Sequence, residues 1–178
     1  HIRCACHVLN LCVQDGRAAI NDHLEKVRHA VLAISTSGSR LQEWKRYLKQ
    51  HGKRSIKLAT DVPTRWNSTY DMLNRAMRYK EHLTRFYNDK FPQRAISEND
   101  WYHCEKYLSF LQLLYSMTHC FSTVYNPCSQ SFLTNACLLA NAFEEHRDNP
   151  DYEEYLPVME TKWRKYYGNI PLIYIYAS

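Results

Sequence analysis

Arg65 and Trp66 stand side by side at the end of a turn set by Pro63, within the run DVPTRWNSTYDML from Asp61 to Leu73. A guanidinium can hold a phosphate through two parallel hydrogen bonds. An indole offers a flat platform for an unpaired base, worth about 1–3 kcal/mol per stacked base. Phosphate grip beside base stacking is the chemistry of a nucleic-acid contact. The same residues also fit a plainer arrangement, a core tryptophan at a helix N-terminus with Arg65 paired to Asp61.

Just upstream, Lys45, Arg46, Lys49, Lys53, Arg54 and Lys57 gather six positive charges around His51. Such a cluster can neutralise phosphates in a salt-dependent way, or it can be an ordinary solvated helix face. Cys4 and His7, in the opening RCACH, are three residues apart and share a face if helical. Thiolate and imidazole are natural zinc ligands. A closed site needs two more, and His119, Cys120 and Cys128 follow only at irregular spacing. A buried cysteine beside a hydrogen-bonded histidine is the alternative. No glycine-rich phosphate loop, nucleophile elbow or spaced carboxylate pair is present.

The charge is unevenly spread. Residues 1–95 carry 18 Lys and Arg against 8 Asp and Glu, and residues 96–178 carry 5 against 10. A basic half points to a polyanionic partner. The seven cysteines are odd in number and fall in helical, apolar stretches, which fits reduced thiols better than a disulfide framework. No apolar stretch is long enough for a bilayer, so no membrane partner is expected. The chain begins within a helical pattern without Met and ends on an apolar run. The expectation is an internal piece of a longer protein.

These residues must be positioned mainly by helices. The patterns predict helices over residues 5–14, ended by Asp15 and Gly16, then 17–35 and 40–50, the last stopped by Gly52. Ile20, Leu24, Val27, Val31 and Ile34 form one stripe of the second. Ser55 to Thr60, SIKLAT, alternates like a strand that Pro63 cannot extend. A long helix is expected over 66–88, a loop over 89–96, and a helix to Ser122 started by a Ser97/Asp100 capping box. Its two apolar stripes suggest a central position in a bundle. Helices over 129–146 and 151–167 follow, and residues 171–176 read as a strand or a helix start.

HIRCACHVLNLCVQDG, DVPTRWNSTYDML, the Trp101 helix and METKWRKYYGNIPL, in that order, resemble the hAT superfamily of transposases, including plant and fungal members with a BED zinc finger. The resemblance implies a mainly α chain: part of a ribonuclease H-like core with one or two strands over 1–65, then an all-helical insertion over 66–178. It implies DNA contact at transposon ends through Cys4, His7, Arg65 and Trp66, with the Trp stacking beside a flipped base. The basic residues Lys45, Arg46, Lys49, Lys53, Arg54 and Lys57 would add phosphate contacts. The family's two Asp and one Glu, which hold divalent Mg or Mn, would lie before His1 and after Ser178. No catalytic or metal-binding residue is therefore expected in this chain, no cofactor is expected, and the chain by itself should be inactive. Homo-oligomerisation of the parent and a nuclear location are implied too. A domesticated DNA-binding regulator and a helical protein-interaction module are the competing readings. A strand without its sheet partners would leave residues 1–60 poorly anchored.

Overall fold

The computed structural model describes residues 5–55, 57–122 and 129–167. Eight α-helices occupy most of them: α1 Ala5–Ala19, α2 Asn21–Ser35, α3 Gly38–Gln50, α4 Trp66–Met77, α5 Lys80–Lys90, α6 Glu98–Ser122, α7 Ser129–His146 and α8 Leu156–Tyr167. The chain is mainly helical, as its patterns predict. The expected strand is not found: among the described residues no strand forms, and residues 57–62 run without regular structure. Alternation alone does not make a strand, because its backbone groups need a neighbour to pair with. Ile56, Cys4 and residues 171–176 lie outside the described residues.

The chain divides into two compact units, residues 21–108 and residues 1–20 with 109–178. Neither division falls at Arg65.

In the unit of residues 21–108, the α2 stripe is buried: Leu24, Val27, Val31 and Ile34 are all at most 1% exposed. Trp44 of α3 packs edge-on against Tyr79 and Phe86, with ring centroids 5.9 and 5.2 Å apart. Residues 21–50 thus carry a full share of a core, contrary to the expectation that everything before residue 60 is poorly anchored. The helix predicted over 66–88 is two helices. Arg78 ends α4, and Tyr79, at φ −120° and ψ 16°, is the N-cap residue of α5. Its buried ring sends the hydroxyl to the Arg54 carbonyl at 2.6 Å. The apolar stripe continues across this break, and no Gly or Pro marks it. The Ser97/Asp100 capping box forms as predicted: Asp100 N–H donates to Ser97 Oγ at 3.2 Å, and Ser97 N–H donates to Asp100 Oδ2 at 2.8 Å.

In the other unit, α1 does not stop at Gly16 but runs through it to Ala19. The glycine serves close helix approach, not a helix end. A Cβ there would sit 2.5 Å from both Cγ and Sδ of Met159 in α8. Lys162 of α8 bonds Asp15 beside it at 2.8 Å. Phe110, Phe143 and Tyr155 are among the other side chains buried in this core. A Gly16→Ala change gains about 1 kcal/mol of helix propensity but overpacks the contact at about 1–3 kcal/mol. Net destabilisation of about 1 kcal/mol is expected in urea unfolding. Met159→Ala, itself costly, should make the same Gly16→Ala change stabilising, a sign reversal that a double-mutant cycle would read.

Candidate nucleic-acid interface

The turn after residue 60 is held from both sides. Asp61 turns inward, its side chain only 1% exposed. Arg28 Nε and Nη2 of α2 donate to its two oxygens at 2.9 and 2.7 Å, and Thr69 Oγ1 donates to Oδ2 at 2.9 Å. Glu25 is a second partner of Arg28. The partners found for Asp61 are therefore Arg28 and Thr69, where the sequence suggested Arg65. On the outer side, Ser68 Oγ accepts from the Val62 N–H at 2.8 Å and donates to the Arg65 carbonyl at 2.6 Å. The Arg65 N–H closes the turn onto the Val62 carbonyl at 2.8 Å. With its backbone fixed, the turn presents Val62, Pro63, Thr64 and Arg65 at the surface.

Trp66 takes the opposite side. It is 5% exposed, in line with Tyr70, Met72 and Leu73 on the buried face of α4. The indole anchors the turn in the core and shows no open face for a base. Arg65 is the N-cap residue of α4; its guanidinium has no acceptor with which to cap the helix, and the residue is exposed to solvent.

The basic stretch is exposed throughout: Lys45, Arg46, Lys49, Lys53, Arg54 and Lys57 all face solvent. Lys45, Arg46 and Lys49 share a face of α3 by spacing. Gly52, at φ 66°, then closes the helix. Its N–H bonds the Lys49 carbonyl at 3.1 Å and that of Lys53 bonds the Leu48 carbonyl at 2.9 Å, the paired bonds of a Schellman end. Only a residue that tolerates positive φ closes a helix this way at low cost. Beyond it, the chain is tied down by Tyr79 at the Arg54 carbonyl, by Arg75 at the Lys57 carbonyl (3.2 Å) and by the buried Leu58. The cations thus project from a segment whose backbone is anchored.

Cys4 lies outside the described residues, and His7 is exposed on α1. Arg65, Trp66 and the basic stretch all lie within the unit of residues 21–108, while His7 belongs to the other unit. The buried thiols of Cys12 and Cys104 are each pushed up to about 12, first by burial and then by a nearby carboxylate, so neither is a ready nucleophile or ligand. His23 and His103 stack with centroids 4.2 Å apart and planes at 6°. Parallel planes send their in-plane lone pairs side by side, so a shared ion would need one ring to turn.

Arg28 is the residue that sequence reasoning missed. Its signal was present: position 28 falls four after Leu24 and three before Val31, inside the apolar stripe of α2. A buried guanidinium there demands a buried carboxylate.

A family model described as the ZBED1 RNase-like helical domain matches residues 2–110. The chain is 30% identical over 177 residues to the zinc finger BED domain-containing protein RICESLEEPER 2 of Oryza sativa subsp. japonica, covering 97% of this chain and 24% of that protein. It is 40% identical over 103 residues to a putative AC9 transposase of Zea mays, covering 56% of this chain and 12% of the relative. It is 43% identical over 89 residues to a putative AC transposase of Zea mays, covering 48% of this chain and 11% of the relative. The chain thus spans a quarter or less of the length of these curated relatives. No solved structure matches.

Proposed function

Since the chain belongs to the hAT-type transposase-like proteins through its ZBED1 RNase-like helical domain, we propose that it is a DNA-binding part of such a protein. Arg65 and the basic stretch Lys45 to Lys57 hold the phosphate backbone. The observation that carries this reading is the set of exposed cations on anchored backbone, from α3 to the Asp61 turn. Trp66 positions the turn from within the core. It is a positioning residue unless DNA draws the indole out, and Cys4 and His7 are further candidates for DNA contact. The parent would act in the nucleus as a homo-oligomer at transposon ends. Its Asp and Glu ligands for divalent metal would lie outside this chain, leaving the chain itself without strand-transfer activity. No described helix is long and apolar enough to cross a membrane.

A second reading, a domesticated DNA-binding regulator, draws support from coverage. The BED zinc-finger relative matches over 97% of this chain, whereas the two transposases match over 56% and 48%. Both readings require DNA contact here.

A salt titration of duplex binding tests it. The logarithm of affinity should fall linearly with the logarithm of salt. Each of Lys45, Lys49 and Lys53 changed to Gln should lower the slope by about one where it meets a phosphate. Arg65→Ala should weaken binding to hairpin or nicked DNA more than to intact duplex. Salt-independent binding, or none by the wild-type chain, would assign the basic stretch to another partner.

A further inference from the structure

We propose that the end of α3 and the adjoining part of α5 form a site for one DNA backbone phosphate, built from His51, Lys53, His82 and Arg85. The proposal rests on the DNA-binding reading above and names a contact within it.

The Schellman end at Gly52 turns the chain sharply just after His51. His51 Nδ1 lies 2.8 Å from the Tyr47 carbonyl, one turn back. A carbonyl only accepts, so Nδ1 is the donor there, and Nε2 can donate to a phosphate once the ring takes up a second proton. The His51 ring lies 4.2 Å from the ring of Tyr47 and 5.7 Å from that of His82, perpendicular to the latter. Tyr47 rests on Phe86 of α5 at 5.4 Å. Two imidazoles from two helices are thus held over an aromatic floor. Lys53 and Arg85 are exposed nearby, and the charges that act on His82 are those of Lys53, His51 and Arg85, opposed by Glu81. The grouping is rich in N–H donors and short of counter-charge.

Desolvation, and then Lys53 and His51, hold the His82 ring below its ordinary pKa. As pH falls through about 6.5, the unfolded chain is protonated first, so by itself this ring lowers stability in acid. A bound phosphate reverses the sign. It stabilises the imidazolium, so DNA binding takes up a proton and strengthens as pH falls. Lysine and arginine contacts, charged throughout this range, confer no such dependence.

The test measures duplex affinity of the 178-residue chain at pH 7.5 and 6.0 and one ionic strength. The wild-type chain should bind about tenfold tighter at pH 6.0. The double change His51→Gln and His82→Gln should reduce that ratio to about twofold or less. NMR titration of the His82 ring in the wild-type chain should show its midpoint rising when DNA is added, a readout independent of whether the variant folds. An unchanged ratio in a folded variant, or a His82 midpoint that DNA does not move, would overturn the site while leaving DNA binding intact. Failure of the wild-type chain to bind DNA at either pH would overturn both.

Discussion

Asp61→Ala should cost about 3–5 kcal/mol of folding stability, measured by urea unfolding at neutral pH. The carboxylate is fully desolvated and meets Arg28 through two hydrogen bonds of 2.9 and 2.7 Å. Removing it strands a guanidinium whose side chain is only 5% exposed and leaves Thr69 Oγ1 without this acceptor. Glu25 can hold part of the Arg28 charge, which places the expected loss toward the lower end of that range. Arg28→Met alone strands the carboxylate instead and should cost a similar amount. Changing both, Arg28→Met with Asp61→Leu, should recover most of the loss, because two apolar groups leave no fully buried charge and Glu25, a third exposed, stays hydrated. Arg65→Ala, four residues along the same turn, removes an exposed side chain and should stay within about 0.5 kcal/mol. The contrast separates the two ends of the motif: Asp61 holds the turn and Arg65 faces outward. Equal costs at the two positions would show that Arg65 also has a folding role.

Legibility of the fold followed the strength of its local chemistry. α7 matches the predicted span, 129–146, and the α6 start was given by Ser97 and Asp100, whose side chains satisfy each other's N–H groups within one turn. Gly52 could be read as a stop because its positive φ serves a purely local hydrogen-bond pattern. What the sequence misled on was set by tertiary partners. Gly16 looks like a helix end, but its missing Cβ is used by Met159, 143 positions away in the chain. The break at Arg78–Tyr79 keeps the stripe in phase and is stabilised by a bond to the distant Arg54 carbonyl. SIKLAT alternates, yet alternation reports only which side chains are buried, as Leu58 is, not whether a ladder exists. Both stripes of α6 are buried: Trp101, Cys104 and Tyr107 in the unit of residues 21–108, and Phe110, Leu111 and Leu114 in the other. For the site, composition located the basic stretch, and burial then divided the Arg-Trp pair into an outer cation and an inner anchor.

Asp100 should govern the acid limit of the unit built from residues 21–108. Its side chain, 1% exposed, collects more donors than a cap requires. Oδ2 accepts from the Ser97 N–H at 2.8 Å and hydroxyl at 2.6 Å, while Oδ1 meets His23 Nδ1 at 2.7 Å and Lys26 Nζ at 2.9 Å. Desolvation alone would raise the carboxyl pKa. The bonds from Ser97, His23 and Lys26 outweigh it and hold the group well below the usual carboxylate range. A carboxyl whose pKa is depressed by folding contributes stability that is present above its unfolded value, about 3.9, and lost as pH falls from there toward the folded one. Asp100→Asn keeps the size and one acceptor for the cap but removes the charge that Lys26 and His23 approach. It should cost about 1.5–3 kcal/mol at pH 7, the range for hydrogen bonds to charged groups. The difference from wild type should shrink steadily below pH 4, since protonation of the unfolded carboxyl removes the advantage that the ionised native one holds. Urea unfolding from pH 7 to pH 2.5 reads this directly. Curves for the two proteins that stayed parallel across that range would mean that the Asp100 charge contributes nothing to the native state, and that the capping geometry alone holds α6 in place.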